Sequence, residues 1–277
     1  MTKNSSYNGL ISVVISTYNW PEALYLVLLS FQHQVDKNFE VVIVDDGSTI
    51  ETKNTIDQFS KVAHFPITHL WQEDKGFRLS RARNMGIQSA KGDYLIFIDG
   101  DCIVRPSFIQ NHRALAEKGY YVAGNRVLLS QRFSTYILKN RIDISNKSLF
   151  SFSLYRCKGY INRFHSLLSL STNHPRRYAK KTNWQKGKGC NMAFWRKDLI
   201  QVYGFEEAFE GWGYEDSDIM IRLINHGTMR KSGYFSTTIL HLWHHEASKT
   251  LEKENYQRLE DTLKKAYTLP TKTSLIA

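Results

Sequence analysis

Four short apolar runs, rich in β-branched and aromatic residues, divide the first hundred positions of the chain. Runs of this length and composition are typical of buried strands. They are LISVVIS at 10–16, FEVVIVDDGS at 39–48, ITHLWQE at 67–73 and DYLIFIDGD at 93–101. Amphipathic stretches that predict helices separate them, one opened by Pro21 and another closed by Gly92. Strands that alternate with helices predict an α/β fold whose central sheet is mostly parallel.

The pattern weakens between about 130 and 188 and then becomes regular again. The run TTILHLWHH at 237–245 predicts a further short strand, and 251–267 predicts an amphipathic helix. We therefore expect one composite domain with two lobes and a helical tail. The predicted boundaries are 1–128, 129–250 and 251–277.

Charge and cysteine content narrow the possible partners and compartment. A net charge of +11 and a pI near 9.4 favour an anionic partner: a nucleic acid, a phosphorylated substrate or an acidic membrane surface. Three widely spaced cysteines, without a metal or disulfide pattern, are typical of reduced thiols in the cytoplasm. The opening MTKNSSYNGL is unlike a secretory signal, and the apolar run at 23–31 is too short to span a bilayer. We expect a cytoplasmic protein, with peripheral contact at the inner face of the cell membrane as a further expectation.

A basic stretch in the middle of the chain is the reason for that further expectation. Residues 176–188 carry six basic side chains and no acid. Such a stretch can meet an anionic membrane surface or a lipid-linked or phosphorylated acceptor. A solvated loop explains it equally well.

Carboxylates follow two of the predicted strands. Asp99 and Asp101 end the fourth run, where extended backbone points both side chains the same way and Gly100 permits close approach of a ligand. Oxygen ligands of this kind suit Mg²⁺ or Mn²⁺, although Asp and Gly also form ordinary turns. Asp45 and Asp46 end the second run, where they could accept hydrogen bonds from a nucleotide. Ligands of parallel α/β sheets bind at such strand ends.

Two common nucleotide-binding motifs are absent. The segment after the first run reads STYNWPEA, without the glycines of a Rossmann fingerprint, and no P-loop occurs. The stretch EDKGFRLSRARNMGI at 73–87 instead gathers Arg78, Arg81 and Arg83 beside Phe77. It is either a solvated basic helix face or a clamp for the oxygens of a diphosphate.

The stretch FEGWGYEDSDIMIRL at 209–223 places Glu215, Asp216 and Asp218 at the start of a predicted helix, beside Trp212. Acids are stabilised at a helix N-terminus for purely structural reasons, so this stretch alone does not establish a catalytic role.

In this order and spacing, the motifs resemble those of a known family. STYN, VVIVDDGS, GFRLSRARNMGI and FIDGD resemble the N-terminal half of family 2 glycosyltransferases of the GT-A fold. GCNMAFWRKDL, GFEEAFEGWGYEDSDIMIRL and HLWHH resemble the C-terminal domain shared with β-1,4-galactosyltransferases and polypeptide N-acetylgalactosaminyltransferases. The matches cover roughly 10–128 and 188–246.

The resemblance implies a nucleotide-sugar-binding lobe at 1–128 and a metal site beside it. Asp99 is expected to face the ribose and Asp101 a Mn²⁺ or Mg²⁺ ion, with His241 as a further metal ligand and His244 as its rival. The residues expected to bind the nucleotide sugar are Thr17, Tyr18, Asp45, Phe77, Arg81, Arg83, Asp99 and Gly100.

The resemblance also implies an acceptor-binding and catalytic lobe at 129–250. Trp212 is expected to pack against the acceptor sugar, Glu215 to hold its hydroxyls, and Asp216 to act as the general base. Tyr214 and Ser217 depart from the residues expected in the galactosyltransferases.

The predicted function is therefore transfer, with inversion, of a hexose or N-acetylhexosamine from a nucleoside-diphosphate sugar, in particular a UDP-sugar. The expected acceptor is a glycan or lipid-linked glycan of surface polysaccharide or lipopolysaccharide synthesis. Alternatives are a sugar nucleotidyltransferase, a non-catalytic nucleotide-sugar binder, a glycosidase and a nucleic-acid-binding protein. The last would not explain acids at several strand ends, so no nucleic-acid partner is expected.

Overall fold

A computed structural model describes residues 7–265, 270 and 272–275 of the chain. Within these ranges ten strands form two sheets. The strands are β1 (Ile11–Thr17), β2 (Phe39–Asp45), β3 (Ile67–Trp71), β4 (Tyr94–Asp99), β5 (Cys102–Ile103), β6 (Tyr120–Ala123), β7 (Arg126–Leu128), β8 (Asn191–Trp195), β9 (Met229–Ser232) and β10 (Ile239–His241).

Helices connect the strands and cover both faces of the larger sheet. Three short 3-10 helices, His165–Leu167, Pro175–Tyr178 and Trp184–Lys186, lie where the hydrophobic pattern of the sequence weakens. The α-helices of the described ranges are α1 (Pro21–Gln32), α2 (Ile50–Ser60), α3 (Leu79–Ser89), α4 (Phe108–Leu115), α5 (Gln131–Lys139), α6 (Leu149–Cys157), α7 (Arg196–Gln201), α8 (Glu215–Asn225) and α9 (Glu252–Lys264).

The larger sheet has seven strands in the order β3-β2-β1-β4-β8-β6-β9. The first four are mutually parallel, β8 is antiparallel to both of its neighbours, and β9 is parallel to β6. All seven residues of β1 and of β2 are buried, as continuous apolar strands covered on both faces should be. The prediction of a mostly parallel α/β sheet is confirmed.

Alternate residues of β1 enter two different cores. Val13 and Ile15 pack into a cluster with α1 and α2, whereas Val14 packs into a cluster with α3 and α8. Helix α3 approaches the sheet so closely at Gly86 that a Cβ atom there would lie 2.6 Å from Val14 Cγ1. Glycine at this position therefore sets the height of α3 above the sheet.

The smaller sheet, in the order β5-β10-β7, brings a distant part of the chain back to the end of β4. His241 of β10 lies opposite Cys102 of β5 in an antiparallel pair and opposite Leu128 of β7 in a parallel pair. This pairing places His241 beside the turn that follows Asp99.

The basic stretch 176–188 is held to the fold through one of its own arginines. Arg177 is 1% exposed and donates hydrogen bonds to the carbonyls of Leu170, Ser171 and Ser232. Its guanidinium therefore has a structural role, because it joins the backbone at 170–171 to the end of β9. The reading of the stretch as a solvated loop is wrong at this position.

The predicted tail helix is present as α9, which ends at Lys264; positions 266 and 267 of that prediction lie outside the described residues. The polar opening of the sequence, residues 1–6, also lies outside them. In the described part of the chain, no helix combines the length and the apolar character needed to traverse a bilayer.

Candidate active site

Three strands of the larger sheet end at one edge, and each brings a predicted site residue there. Thr17 at the end of β1 lies opposite Asp45 at the end of β2, and β4 ends at Asp99. One Asp45 oxygen accepts the Ser48 N–H at 2.7 Å, and the other lies 3.1 Å from His69 Nε2. The structure thus places all three at the carboxyl edge of the sheet, where ligands of open α/β folds bind.

The turn between Asp99 and Asp101 packs closely on β1. The Gly100 N–H donates to the Ser16 carbonyl at 2.7 Å, and a Cβ atom on Gly100 would lie 3.0 Å from that oxygen and 3.1 Å from Thr17 Oγ1. Close packing on β1 is therefore sufficient to require glycine here, in addition to the predicted approach of a ligand.

Asp101 and two histidines form a compact group of potential metal ligands. Asp101 Oδ2 lies 3.6 Å from His241 Nε2 and 3.2 Å from His244 Nε2, and ligand atoms of the three side chains lie within 4.8 Å of one another. The other Asp101 oxygen accepts a hydrogen bond from the Cys102 thiol at 3.2 Å. The sequence left His241 and His244 as rivals, whereas the structure places both against the same carboxylate.

The hydrogen bonds of the two imidazoles leave the correct nitrogens available to a metal. Nδ1 of His241 lies 2.8 Å from the Leu242 carbonyl, and Nδ1 of His244 lies 2.6 Å from the His245 carbonyl. A carbonyl only accepts, so each Nδ1 donates its proton there and each Nε2 is the ring nitrogen directed at Asp101. Two imidazoles and one carboxylate fit a divalent transition ion such as Mn²⁺ better than Mg²⁺, which prefers oxygen ligands.

Arg83 connects this strand edge with the start of α8. It is 1% exposed, and its guanidinium lies 3.3 Å from Asp99 Oδ1, 3.1 Å from Glu215 Oε1 and 3.3 Å from the Gly189 carbonyl. A buried guanidinium with two carboxylate partners is a fixed planar cross-link. Arg83 therefore holds the metal side of the site and the helix α8 side in one geometry.

Burial raises the pKa values of two carboxyl groups around Arg83. Burial raises the pKa of Glu215 to about 7, and the adjacent Asp216 carboxylate adds to the rise while Arg83 opposes it. Burial also raises the pKa of Asp99, again against the influence of Arg83 and with that of Asp101. Groups with displaced pKa values are concentrated at functional sites, which favours this location.

Asp216 lies in the first turn of α8 with one oxygen anchored. Its Oδ2 accepts the Gly189 N–H at 2.8 Å, and its Oδ1 accepts a weaker hydrogen bond from Ser217 Oγ at 3.2 Å. A Cβ atom on Gly189 would lie 3.2 Å from Asp216 Oδ2 and 3.3 Å from Arg83 Nη2. Glycine at 189 therefore allows both side chains to approach the same backbone segment.

Asp218, two positions further on, points into the protein. It is 2% exposed, its Oδ2 accepts from Arg222 Nε and Nη2 at 2.9 and 2.7 Å, and its Oδ1 accepts from Thr262 at 2.8 Å. Arg222 also donates to the Val202 carbonyl at 2.6 Å. Asp218 thus binds α8 to α9, a larger structural role than helix capping.

Trp212 stands on a glycine-rich turn that precedes α8. The flanking Gly211 and Gly213 have φ angles of 71° and 113°, in the left-handed region that glycine adopts without strain. The Gly211 N–H donates to the Phe77 carbonyl at 2.9 Å, and the Trp212 carbonyl accepts from Asn255 Nδ2 at 3.2 Å. These bonds hold the turn between the segment that precedes α3 and helix α9. The Trp212 side of the turn faces solvent, since 36% of this residue is exposed.

The predicted nucleotide-binding aromatics are at the surface. Tyr18 is 49% exposed and donates its hydroxyl to Asp74 at 2.9 Å, and Phe77 is 40% exposed. Tyr18 and Asp74 join the loop after β1 to the loop after β3. Both rings remain available to a ligand at the sheet edge.

Arg81 and Arg83 do not converge. They are two positions apart on α3, and residues at that spacing lie on different sides of a helix. Arg83 points to Asp99 and Glu215, whereas Arg81 lines a groove of about 240 Å³. The other residues of this groove are Lys75, Arg78, Glu207, Glu210 and Lys272. The joint diphosphate clamp that the sequence indicated is therefore not formed by these two arginines.

Sequence reasoning missed the contributions of Gly189 and Asn84. Gly189 opens the motif GCNMAFWRKDL, but nothing in that motif indicated that its N–H would anchor Asp216. Asn84 directly follows Arg83 on α3 and is fully buried. It donates to the Phe205 carbonyl at 2.9 Å and to Glu207 at 2.8 Å, so it supports the loop before Trp212.

Two family models match the chain. The model described as glycosyl transferase family 2 matches residues 12–200, and the one described as the N-terminal domain of galactosyltransferase matches residues 172–246. Together they include the strand ends, the metal-ligand group and the turn with Trp212.

Curated relatives are similar over most of this chain. Chondroitin synthase of Escherichia coli is 27% identical over 233 residues, which cover 80% of this chain and 33% of that protein. Validoxylamine A glucosyltransferase of Streptomyces hygroscopicus subsp. limoneus is 30% identical over 237 residues, 80% of this chain and 49% of the relative. The chain thus spans about half or less of the length of these relatives.

Solved structures share the fold at low sequence identity. GalNAc-T7 with UDP, GalNAc and Mn²⁺ has a TM-score of 0.63 at 16% identity, covering 91% of this chain and 48% of the other. A mannosyltransferase from Pyrobaculum calidifontis, in complex with GDP-Man and Mn²⁺, has a TM-score of 0.56 at 18% identity, covering 85% and 57%. The predicted GT-A fold is confirmed.

Proposed function

The chain belongs to glycosyl transferase family 2, and we propose that it moves a hexose or N-acetylhexosamine from a nucleoside-diphosphate sugar to a hydroxyl of a glycan acceptor. UDP-sugars are the proposed donors, since a structure of similar fold holds UDP. The proposed acceptor is a surface polysaccharide or its lipid-linked precursor, since a relative is a chondroitin synthase. A cytoplasmic location, and contact of the exposed basic residues of 176–188 with an anionic membrane, stay predictions.

The observation that carries the proposal is the cross-link made by Arg83. Its guanidinium contacts both Asp99 and Glu215. Asp99 is two residues before the potential metal ligand Asp101, and Glu215 is adjacent to Asp216. Donor and acceptor groups must be held together in a fixed geometry for group transfer. This single buried side chain provides that connection, and we assign it a positioning role.

In the proposed reaction, Asp216 accepts the proton of the acceptor hydroxyl as its oxygen attacks the anomeric carbon of the donor sugar. The bond from that carbon to the diphosphate oxygen breaks, and the leaving nucleoside diphosphate takes the electron pair. Attack from the side opposite the leaving group inverts the anomeric centre. The Gly189 N–H, 2.8 Å from Asp216 Oδ2, orients the carboxylate so that its other oxygen remains available.

A divalent cation would be held by Asp101, His241 and His244. When bound, it would neutralise charge on the diphosphate. Trp212 offers an exposed apolar face for the acceptor sugar, and Glu215 offers a carboxyl group to its hydroxyls. The nucleotide is proposed to lie along the strand ends, against Thr17, Tyr18, Asp45, Phe77, Arg81, Asp99 and Gly100.

A panel of nucleotide sugars tests the proposal. With Mn²⁺ present, we expect at least one UDP-sugar to raise the melting temperature and to be hydrolysed slowly in the absence of acceptor. The Asp101→Asn variant is the matched control and should lose the metal dependence of both signals. Absence of any response to the panel, with or without metal, contradicts the proposed function.

A further inference from the structure

Tyr214 departs from the galactosyltransferase pattern, and its backbone conformation is unusual. Its φ angle is 73°, in the left-handed region that bulky residues rarely occupy. Glycine would adopt this conformation without strain, as Gly211 and Gly213 do in the same turn. A strained tyrosine persists only where its surroundings hold it, and such residues are concentrated at ligand sites.

The ring of Tyr214 lies in the middle of a row of three aromatic side chains. Its centroid is 6.2 Å from that of Trp212 and 5.5 Å from that of Tyr256 on α9. Trp212 is 36% exposed and Tyr256 48% exposed, so the row reaches the surface at both ends. We name these three residues the aromatic row.

Contacts of α9 hold the far end of the row in place. Asn255, next to Tyr256, is 2% exposed and donates to the carbonyls of Glu210 and Trp212 at 2.9 and 3.2 Å. Leu259, one turn further, is 1% exposed, and Thr262 donates to Asp218 of α8. The helix therefore presents Tyr256 from a fixed position relative to the start of α8.

A lysine that is paired with a glutamate lies at the Trp212 end of the aromatic row. Lys249 Nζ lies 4.9 Å from the centre of the Trp212 ring and 2.8 Å from Glu246 Oε2. An amphipathic aromatic surface with polar groups at its margin is suited to sugar rings, whose C–H faces stack on aromatics while their hydroxyls form hydrogen bonds. The planes of neighbouring rings in the row are inclined at 62° and 61° to each other.

We propose that Tyr214 and Tyr256 extend the acceptor site beyond Trp212 and bind successive pyranose rings of an oligosaccharide acceptor. This rests on the proposed function, because Trp212 is taken as the position of the sugar next to Asp216. The row begins at Trp212, three residues before Glu215, and leads onto α9. The acceptor class it fits is a chain of several sugars, in which rings remote from the reacting hydroxyl add affinity.

Calorimetric titration of the full chain, without donor, tests the row. The probes are unsulfated chondroitin oligosaccharides and cello-oligosaccharides, each from disaccharide to hexasaccharide. For wild type we expect affinity to rise with length in at least one series. In Tyr256→Ala and Tyr214→Gly the ratio of hexasaccharide to disaccharide affinity should fall about three- to tenfold, since an aromatic contact of this kind contributes that much.

Two variants control for general effects. Tyr256→Phe keeps the ring and should keep the length dependence, and Tyr136→Ala removes a tyrosine that is 56% exposed on the distant α5. Tyr214→Gly relieves the backbone strain, so loss of folding would not explain its result. Equal affinity for all lengths in wild type, absence of binding in both series, or unchanged length dependence in the variants overturns the proposal.

Donor hydrolysis measured in parallel separates this inference from the proposed function. Loss of length dependence in the variants supports the aromatic row even where no donor is hydrolysed, a result that would contradict the proposed transfer alone. Donor hydrolysis with unchanged length dependence contradicts the row alone.

Discussion

Asp216 and Asp218 lie in the same turn of α8, yet the fold uses them in opposite ways. Both of Asp218's oxygens are occupied, by Arg222 and by Thr262, and the side chain is 2% exposed. Asp216 is partly exposed, and among the described residues its carboxylate accepts hydrogen bonds from the Gly189 N–H and from Ser217 and forms no salt bridge. An acid that is neutralised internally stabilises the fold, whereas one that is only oriented can accept a proton.

The same distinction separates the two acids of the fourth strand end. Asp99 faces the buried Arg83, whereas Asp101 faces the Nε2 atoms of two histidines. In both pairs of acids the sequence spacing is identical and the partner decides the role. Substitutions at three of these acids and at Glu215 test this division.

Asp216→Asn should reduce the turnover number for transfer at least about a thousandfold, since it removes the proposed base and little else. The amide can still accept the Gly189 N–H, so the melting temperature should stay close to that of wild type. Initial rates with a UDP-sugar and a glycan acceptor, together with UDP binding, check this. Turnover like that of wild type would remove Asp216 from the role of base.

Asp218→Asn should instead destabilise the fold by about 3 kcal/mol, because it leaves the buried Arg222 without its counter-charge. Chemical denaturation measures the loss. The double variant Asp218→Asn with Arg222→Met should recover part of it, because a neutral pair leaves no uncompensated charge. If Asp218→Asn keeps its stability but loses turnover, the assignment of the two acids is reversed.

Asp101→Asn should weaken Mn²⁺ binding by at least about tenfold, a loss found even for residues that only support metal ligands. Calorimetric titration of Mn²⁺ measures it, and Asp216→Asn serves as the control that keeps wild-type affinity. Equal affinity in wild type and Asp101→Asn would show that the ion binds elsewhere.

Glu215→Gln should change how stability depends on pH. Burial and Asp216 raise the pKa of Glu215 to about 7, against the opposing influence of Arg83. A raised pKa of an acid contributes stability that is present below its unfolded-state pKa and lost as the pH rises through the folded-state value. Glutamine does not titrate, so the melting temperature of the variant relative to wild type should rise between pH 5 and pH 8. A difference that is independent of pH contradicts the displaced pKa.

Much of the fold followed from local sequence pattern. The runs that became β1, β2 and β4 are largely apolar and β-branched, which is sufficient to predict buried parallel strands, and the run that became the half-buried edge strand β3 also predicted a strand. The insertion of β8 between β4 and β6, antiparallel to both, depends on contacts between residues about 70 to 100 positions apart. No local pattern carries that information.

Site residues that lie within one short motif could be predicted from the sequence. The contacts between residues from distant parts of the chain could not. Asp99 and Asp101 follow a strand visibly in the sequence. The choice between His241 and His244 could not be made there, because both approach Asp101 only through the pairing of β10 with β5. The anchoring of Asp216 by Gly189 and the docking of Tyr256 beside Tyr214 likewise arise from tertiary packing.

The most direct test of the account compares wild type, Asp216→Asn and Asp218→Asn under one condition, with Mn²⁺, a UDP-sugar and a glycan acceptor. Transfer per folded molecule and stabilisation by UDP are read from the same samples. We expect Asp216→Asn to keep its stabilisation by UDP and to lose transfer. Asp218→Asn should have a lower melting temperature than wild type and should transfer normally once folded. Transfer by Asp216→Asn at the wild-type rate would contradict the central claim.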